Sequence, residues 1–136
     1  MKPARFEYCA PTTLAEALGL LAELGADGAV LAGGMTLGPM LNLRLVHPRA
    51  LVDIGGIDAL RTLELRQGLL VTGATVVQSD ALASPLVRSA APLLALALPW
   101  VGHFQTRNRG TLGGSVAHAD PMLPPSASSR DTRRVQ

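Results

Sequence analysis

Two double-glycine segments fix where this chain can turn: Ala32-Gly33-Gly34-Met35-Thr36, and Arg107-Asn108-Arg109-Gly110-Thr111-Leu112-Gly113-Gly114-Ser115. Each follows an apolar stretch and sets a small hydroxyl residue beside the glycines. Glycine reaches backbone conformations closed to other residues and lets main-chain N–H groups come close to a phosphate. The pair of segments therefore predicts a diphosphate gripped by two loops, facing each other across a groove.

The flanking sequence predicts the elements that would carry those loops. Arg5-Phe6-Glu7-Tyr8 alternates as a short strand, stopped by Pro11. Thr13-Leu14-Ala15-Glu16 reads as a capping box, and Leu14, Ala17, Leu18, Leu21 and Leu24 as the apolar face of the helix that follows, closed by Gly25. Ala29-Val30-Leu31-Ala32 reads as a buried strand leading into the first double glycine. A second helix is expected from Thr36, with Pro39 in its first turn and Met40, Leu41 and Leu43 on it, so that its N-terminus adds positive dipole character at the loop. Ala50 to Ile54 reads as a strand ended by Gly55-Gly56, and Thr62 to Arg66 with Leu69 to Ala74 as a hairpin about Gln67-Gly68. The Leu/Ala-rich stretch from Ser84 to Val101 reads as helix divided by Pro92 and Pro99.

Composition removes several classes. The 136 residues suit one ordinary domain or two small lobes, and no apolar run reaches the roughly 20 residues of a membrane span. Neither a membrane segment nor a signal peptide is predicted, which implies a cytoplasmic protein. The single Cys9 excludes an internal disulfide and cannot hold an iron–sulfur cluster, so any such cluster belongs to a partner. His47, His103 and His118 lack the spacing of a zinc site, and none is expected. The formal charge of +2 comes from Arg130, Arg133 and Arg134 set against Asp131, leaving residues 1–121 with nine basic and nine acidic groups. A neutral body with 3% aromatic residues offers nucleic acid neither a charged track nor a stacking platform.

Neither G-x-G-x-x-G nor G-x-x-x-x-G-K-[ST] occurs, which disfavours a Rossmann fingerprint and a P-loop. The strings that do occur are F-x-Y-x-x-P-x-x-x-x-E-A from Phe6, L-A-G-G-M-T-L at 31–37, L-V-D-I at 51–54, V-T-G-A at 71–74, and V-G-H-F-Q-T-R-N-R-G-T-L-G-G-S-V-A-H-A-D-P at 101–121. With these the chain resembles the flavin-binding medium subunit of molybdenum hydroxylases, the family of xanthine dehydrogenase and bacterial carbon monoxide dehydrogenase.

The resemblance implies an α+β fold, a two-lobed flavin adenine dinucleotide (FAD) domain of the vanillyl-alcohol oxidase type, here in truncated form. The order of elements predicts a small strand–helix–strand lobe over 1–55 and a β-rich lobe over 56–121, and the departure from the family pattern sets off a tail over 122–136. Ala32, Gly33, Gly34, Met35 and Thr36 would line one side of the FAD diphosphate, and Thr111, Leu112, Gly113, Gly114 and Ser115 the other, with Leu37 and Val101 as apolar contacts. Arg107, Arg109, His103 and His118 are placed outside the immediate contacts, and Trp100 in a core or an interface. By the same resemblance, electrons come from a molybdenum centre on a large subunit through [2Fe–2S] clusters on a small subunit to FAD, and leave to an acceptor such as NAD or a quinone.

After Pro121 the sequence becomes rich in Pro, Ser and Arg without apolar period, and Pro124 stands where the family pattern carries an acid. Disorder is expected for Met122 to Gln136, and a frameshift or truncation after Pro121 is the expected cause. The alternative to a working subunit is an inactive remnant that binds flavin weakly or not at all.

Overall fold

The computed structural model describes residues 1–119. The expectations for the segment after Pro121 lie outside the described residues. The chain divides into two compact units, Met1–Leu60 and a second that begins at Arg61. Helix and strand are mixed along it.

The first unit is a three-stranded parallel sheet with order β1-β3-β2, formed by β1 (Glu7–Cys9), β2 (Gly28–Leu31) and β3 (Ala50–Asp53). Glu7 aligns with Ala50 on one side of β3, and Gly28 aligns with the same residue on the other. The Ala-Leu-Val run of β3 is apolar on both faces and is buried throughout, as suits the central strand of a parallel sheet. Val30 of β2 is 46% exposed, so the segment expected to be buried forms an edge strand.

Helix α1 (Leu14–Leu24) joins β1 to β2. Thr13 accepts from the Glu16 amide, and the Glu16 carboxylate accepts from the Thr12 and Thr13 amides, which completes the capping box. The amide bonds from Thr12 and Thr13 hold the Glu16 carboxyl below its ordinary value of 4.5. Gly25 ends the helix at φ 55°. The packed stripe is Ala17, Leu20, Leu21 and Leu24, set against Val52 and Ile57. Leu14 and Leu18, expected on that stripe, are 46% and 58% exposed. The 3.6-residue period selects 17, 20, 21 and 24 as one face, and Leu14 and Leu18 fall to its side. Helix α2 (Leu37–Asn42), with Pro39 in its first turn, connects β2 to β3.

The second unit opens with a hairpin of β4 (Leu63–Arg66) and β5 (Leu69–Thr72), paired Leu63 to Thr72 and Arg66 to Leu69. Gln67 and Gly68 take φ values of 51° and 79°, the two positive angles of a tight hairpin turn. Among its described residues this unit is mainly helical, where a β-rich lobe was expected: α3 (Gln78–Ala83), α4 (Pro85–Ala90), α5 (Pro92–Ala97), α6 (Phe104–Arg107) and α7 (Leu112–His118) follow the hairpin. Pro85 and Pro92 each open a helix, where the missing N–H is not needed, and Pro99 lies in a single 3-10 turn. Val76, Ala81, Val87, Leu98 and Leu112 form the core, with Leu63, Leu70 and Leu94 against it. No helix among the described residues is long and apolar enough to cross a membrane.

Candidate functional site

The first glycine segment lies at the carboxyl end of β2, between that strand and α2. Gly34 has φ 69°, a conformation that L side chains rarely adopt, and an added Cβ would stand 3.1 Å from Leu31 Cδ1. The sharp turn leaves main-chain donors unused. Among the described residues, no protein acceptor takes the amide hydrogen of Gly33, Gly34, Met35 or Thr36. Inward bonding begins only at Gly38, whose amide donates to Gly34 O at 2.8 Å. Thr36 precedes α2 without capping it, so its exposed hydroxyl is also uncommitted. Ala32, Gly33, Gly34, Met35 and Leu37 are half-buried. Helix α2 has only 6 residues, so the dipole expected there is small, and the local N–H groups supply the positive potential.

The second segment is built differently. Main-chain bonds tie it to the loop after β5: the Gln78 amide donates to Gly110 O at 2.8 Å, Leu112 to Val76 O at 2.9 Å, and Gly113 to Ala74 O at 3.0 Å. Thr111 caps α7 by accepting the Gly114 amide at 3.1 Å, and the Ser115 amide donates to Thr111 O at 3.1 Å. Every amide from Leu112 to Ser115 is therefore committed within the protein. Phosphate contact through the glycine N–H groups, expected for both segments, has free donors only in the first. A Cβ on Gly113 would lie 2.6 Å from Ala74 O, so glycine is needed here for close packing of backbone on backbone.

From Leu112 to Ser115, what remains for a ligand is hydroxyl chemistry. Thr111 is 6% exposed, while Ser115 is half-buried. The Ser115 hydroxyl donates to Thr111 O at 3.2 Å and accepts from Gln78 Nε2 at 2.7 Å. Gln78 is 4% exposed, and its Oε1 has no partner among the described residues. Sequence reasoning missed this residue, because a glutamine after the apolar Val76-Val77 pair carries no motif.

The neighbouring candidates have other roles. Arg107 donates to Pro99 O, Val101 O and Gly102 O at 3.1, 3.1 and 3.0 Å, clamping the loop that precedes the segment. Trp100, expected in a core or interface, is 85% exposed, and His103 and His118 are exposed as well. In the first unit, Asp53 accepts from the Gly55 amide at 2.8 Å and from the Tyr8 hydroxyl. That hydrogen bond holds the Tyr8 phenol above its ordinary value of 10.0.

A family model described as the FAD binding domain in molybdopterin dehydrogenase matches residues 4–129. The chain belongs to this family. Its match reaches past Pro121, where the quoted motifs stop. Among members of the FAD-binding family, the chain is 46% identical over 121 residues to the carbon monoxide dehydrogenase medium chain of Hydrogenophaga pseudoflava, covering 89% of this chain and 42% of that protein. It is 40% identical over 121 residues to the caffeine dehydrogenase subunit beta of a Pseudomonas species, covering 89% and 41%. The solved carbon monoxide dehydrogenase from Hydrogenophaga pseudoflava superposes with TM-score 0.88 at 45% identity, over 91% of this chain and 43% of that one. Quinoline 2-oxidoreductase from Pseudomonas putida 86 gives 0.84 at 42% identity, over 88% and 42%. The chain thus spans less than half the length of the relatives it matches. FAD is the cofactor of the family, and the free amides at Gly33 to Thr36 fit its anionic diphosphate.

Proposed function

We propose that this chain acts in the flavin-binding subunit of a cytoplasmic molybdenum hydroxylase. In this reading, electrons pass from a molybdenum centre on a large subunit through [2Fe–2S] clusters on a small subunit to FAD, and on to an acceptor. The two units are the two lobes of a vanillyl-alcohol oxidase type fold. The single observation that carries the reading is the run of uncommitted amides at Gly33, Gly34, Met35 and Thr36 in a chain of the FAD-binding family.

FAD, when bound, supplies the redox chemistry, while the protein binds and orients it. The amides of Gly33, Gly34, Met35 and Thr36 donate to diphosphate oxygens, with Ala32 and Leu37 flanking them. Each such bond to a charged oxygen is worth about 1.5–3 kcal/mol. Thr111, Leu112, Gly113, Gly114 and Ser115 contribute a rigid, closely packed corner and the Ser115 hydroxyl.

Titrating the purified chain with FAD and following quenching of flavin fluorescence tests the reading. Saturable binding is expected, lost in Gly34→Val, where a branched side chain meets both the positive φ and Leu31. No binding by the parent chain, or equal binding by the variant, refutes the site. Co-expression with molybdenum and [2Fe–2S] subunits of a relative should yield a complex that retains this chain, and its absence from the complex would refute the subunit role.

A further inference from the structure

We propose that Gln78 is a positioning residue for the diphosphate, holding the Ser115 hydroxyl ready to donate to a phosphate oxygen; this rests on the FAD reading above. Because all amides from Leu112 to Ser115 are committed, the Ser115 hydroxyl is the donor left to a ligand in that stretch. A serine hydroxyl has one proton and can also accept. Gln78 Nε2 donates to Ser115 Oγ at 2.7 Å, so the proton of that hydroxyl cannot be spent on Gln78. It goes instead to Thr111 O at 3.2 Å, a carbonyl that already accepts the Ser115 amide at 3.1 Å. Turning the proton toward a ligand therefore leaves no carbonyl unsatisfied. A hydroxyl that accepts one hydrogen bond is polarised into a stronger donor for the next.

The surroundings of Gln78 show that packing alone does not account for an amide there. The side chain is 4% exposed and its Oε1 is buried without a partner among the described residues. A leucine or methionine would fill a similar volume without leaving an acceptor unpaired, which is a costly state in a protein interior. Room for the amide comes from Gly110, where a Cβ would stand 3.1 Å from Gln78 Oε1. What the amide provides, and an apolar side chain would not, is the bond to Ser115.

The test measures dissociation constants of FAD, ADP and riboflavin with the whole chain and its Gln78→Leu, Gln78→Glu and Ser115→Ala variants. Gln78→Leu should weaken FAD and ADP about tenfold, as expected for a hydrogen bond to a charged oxygen. Gln78→Glu should be weaker still, because a carboxylate only accepts and takes the Ser115 proton for itself. Riboflavin, which lacks phosphate, should bind all variants alike. In the Ser115→Ala background Gln78→Leu should add less than about twofold, since its effect runs through that hydroxyl. In the parent chain labelled with ¹⁵N, ADP should shift the Gln78 side-chain amide resonances, a measurement that needs no variant to fold. Parent-like FAD binding by Gln78→Glu, a full Gln78→Leu penalty without Ser115, or no shift at saturating ADP overturns the proposal while leaving the FAD reading intact. A parent chain that binds neither FAD nor ADP overturns both.

Discussion

Replacing Gly113 by alanine puts a carbon where the backbone of Ala74 already lies, 2.6 Å from its carbonyl oxygen and 2.7 Å from its Cα. Neither atom can swing aside as a side chain would, so α7 must move off the loop after β5. Overpacking of this kind costs about 1–3 kcal/mol. The bond from Gly113 N to Ala74 O, 3.0 Å long, weakens with it, adding about 0.5–1.5 kcal/mol. Against this, alanine gains at most about 1 kcal/mol of helix propensity over glycine. The balance is a loss of about 2 kcal/mol, or roughly 10 °C in melting temperature for a unit of this size. Thermal unfolding without FAD, followed by circular dichroism, reads it directly. Gly19→Ala is the control: nothing lies within 4 Å of its added carbon, and the variant should gain about 0.5–1 kcal/mol. If Gly113→Ala melts at or above the parent temperature, the close approach is wrong, and glycine there must be explained by the cofactor alone.

Thr111→Ala removes the cap of α7 and should cost about 1 kcal/mol by the same melts, with weaker FAD binding as a consequence; unchanged melting would refute the cap. The Glu16 carboxyl titrates lower in the folded chain than its ordinary 4.5, so its contribution is present above that pH and lost as pH falls through the lower folded value. The stability difference between the parent and Glu16→Gln should therefore be largest at neutral pH and vanish in acid, and a gap independent of pH would refute the capping box. Tyr8, the one tyrosine, should ionise above 10.0, and Asp53→Asn should bring its phenolate absorbance back toward that value; identical titrations would refute the Tyr8–Asp53 bond.

The features legible in the sequence are those set by a few neighbouring residues. Thr13 with Glu16, Gly25 at the helix end, Gln67-Gly68 in the hairpin and the divisions at Pro92 and Pro99 each act within a turn or two, and the fold uses them as read. What could not be read depends on partners distant along the chain. Val30 lies at an edge because β3 inserts between β1 and β2, and Leu18 is exposed because the sheet selects a stripe one residue away. The glycine segments look alike as strings, yet the amides of Gly33 to Thr36 are free and those of Leu112 to Ser115 are bound to Ala74, Val76 and Thr111. Gln78 meets Ser115 only through the bridge between Val77 and Thr111.

The strand order of the first unit has a consequence for synthesis from the N-terminus. β1 and β2 touch no common ladder until β3 arrives, since each pairs only with that last-made strand. During translation, α1 can form early from its own cap, but both outer strands wait with open edges until Ala50–Asp53 leaves the ribosome. The first glycine turn, hung between β2 and α2, gains a fixed shape only at that moment. A chain stalled before Ala50 would carry the whole first glycine motif and none of the sheet that holds it.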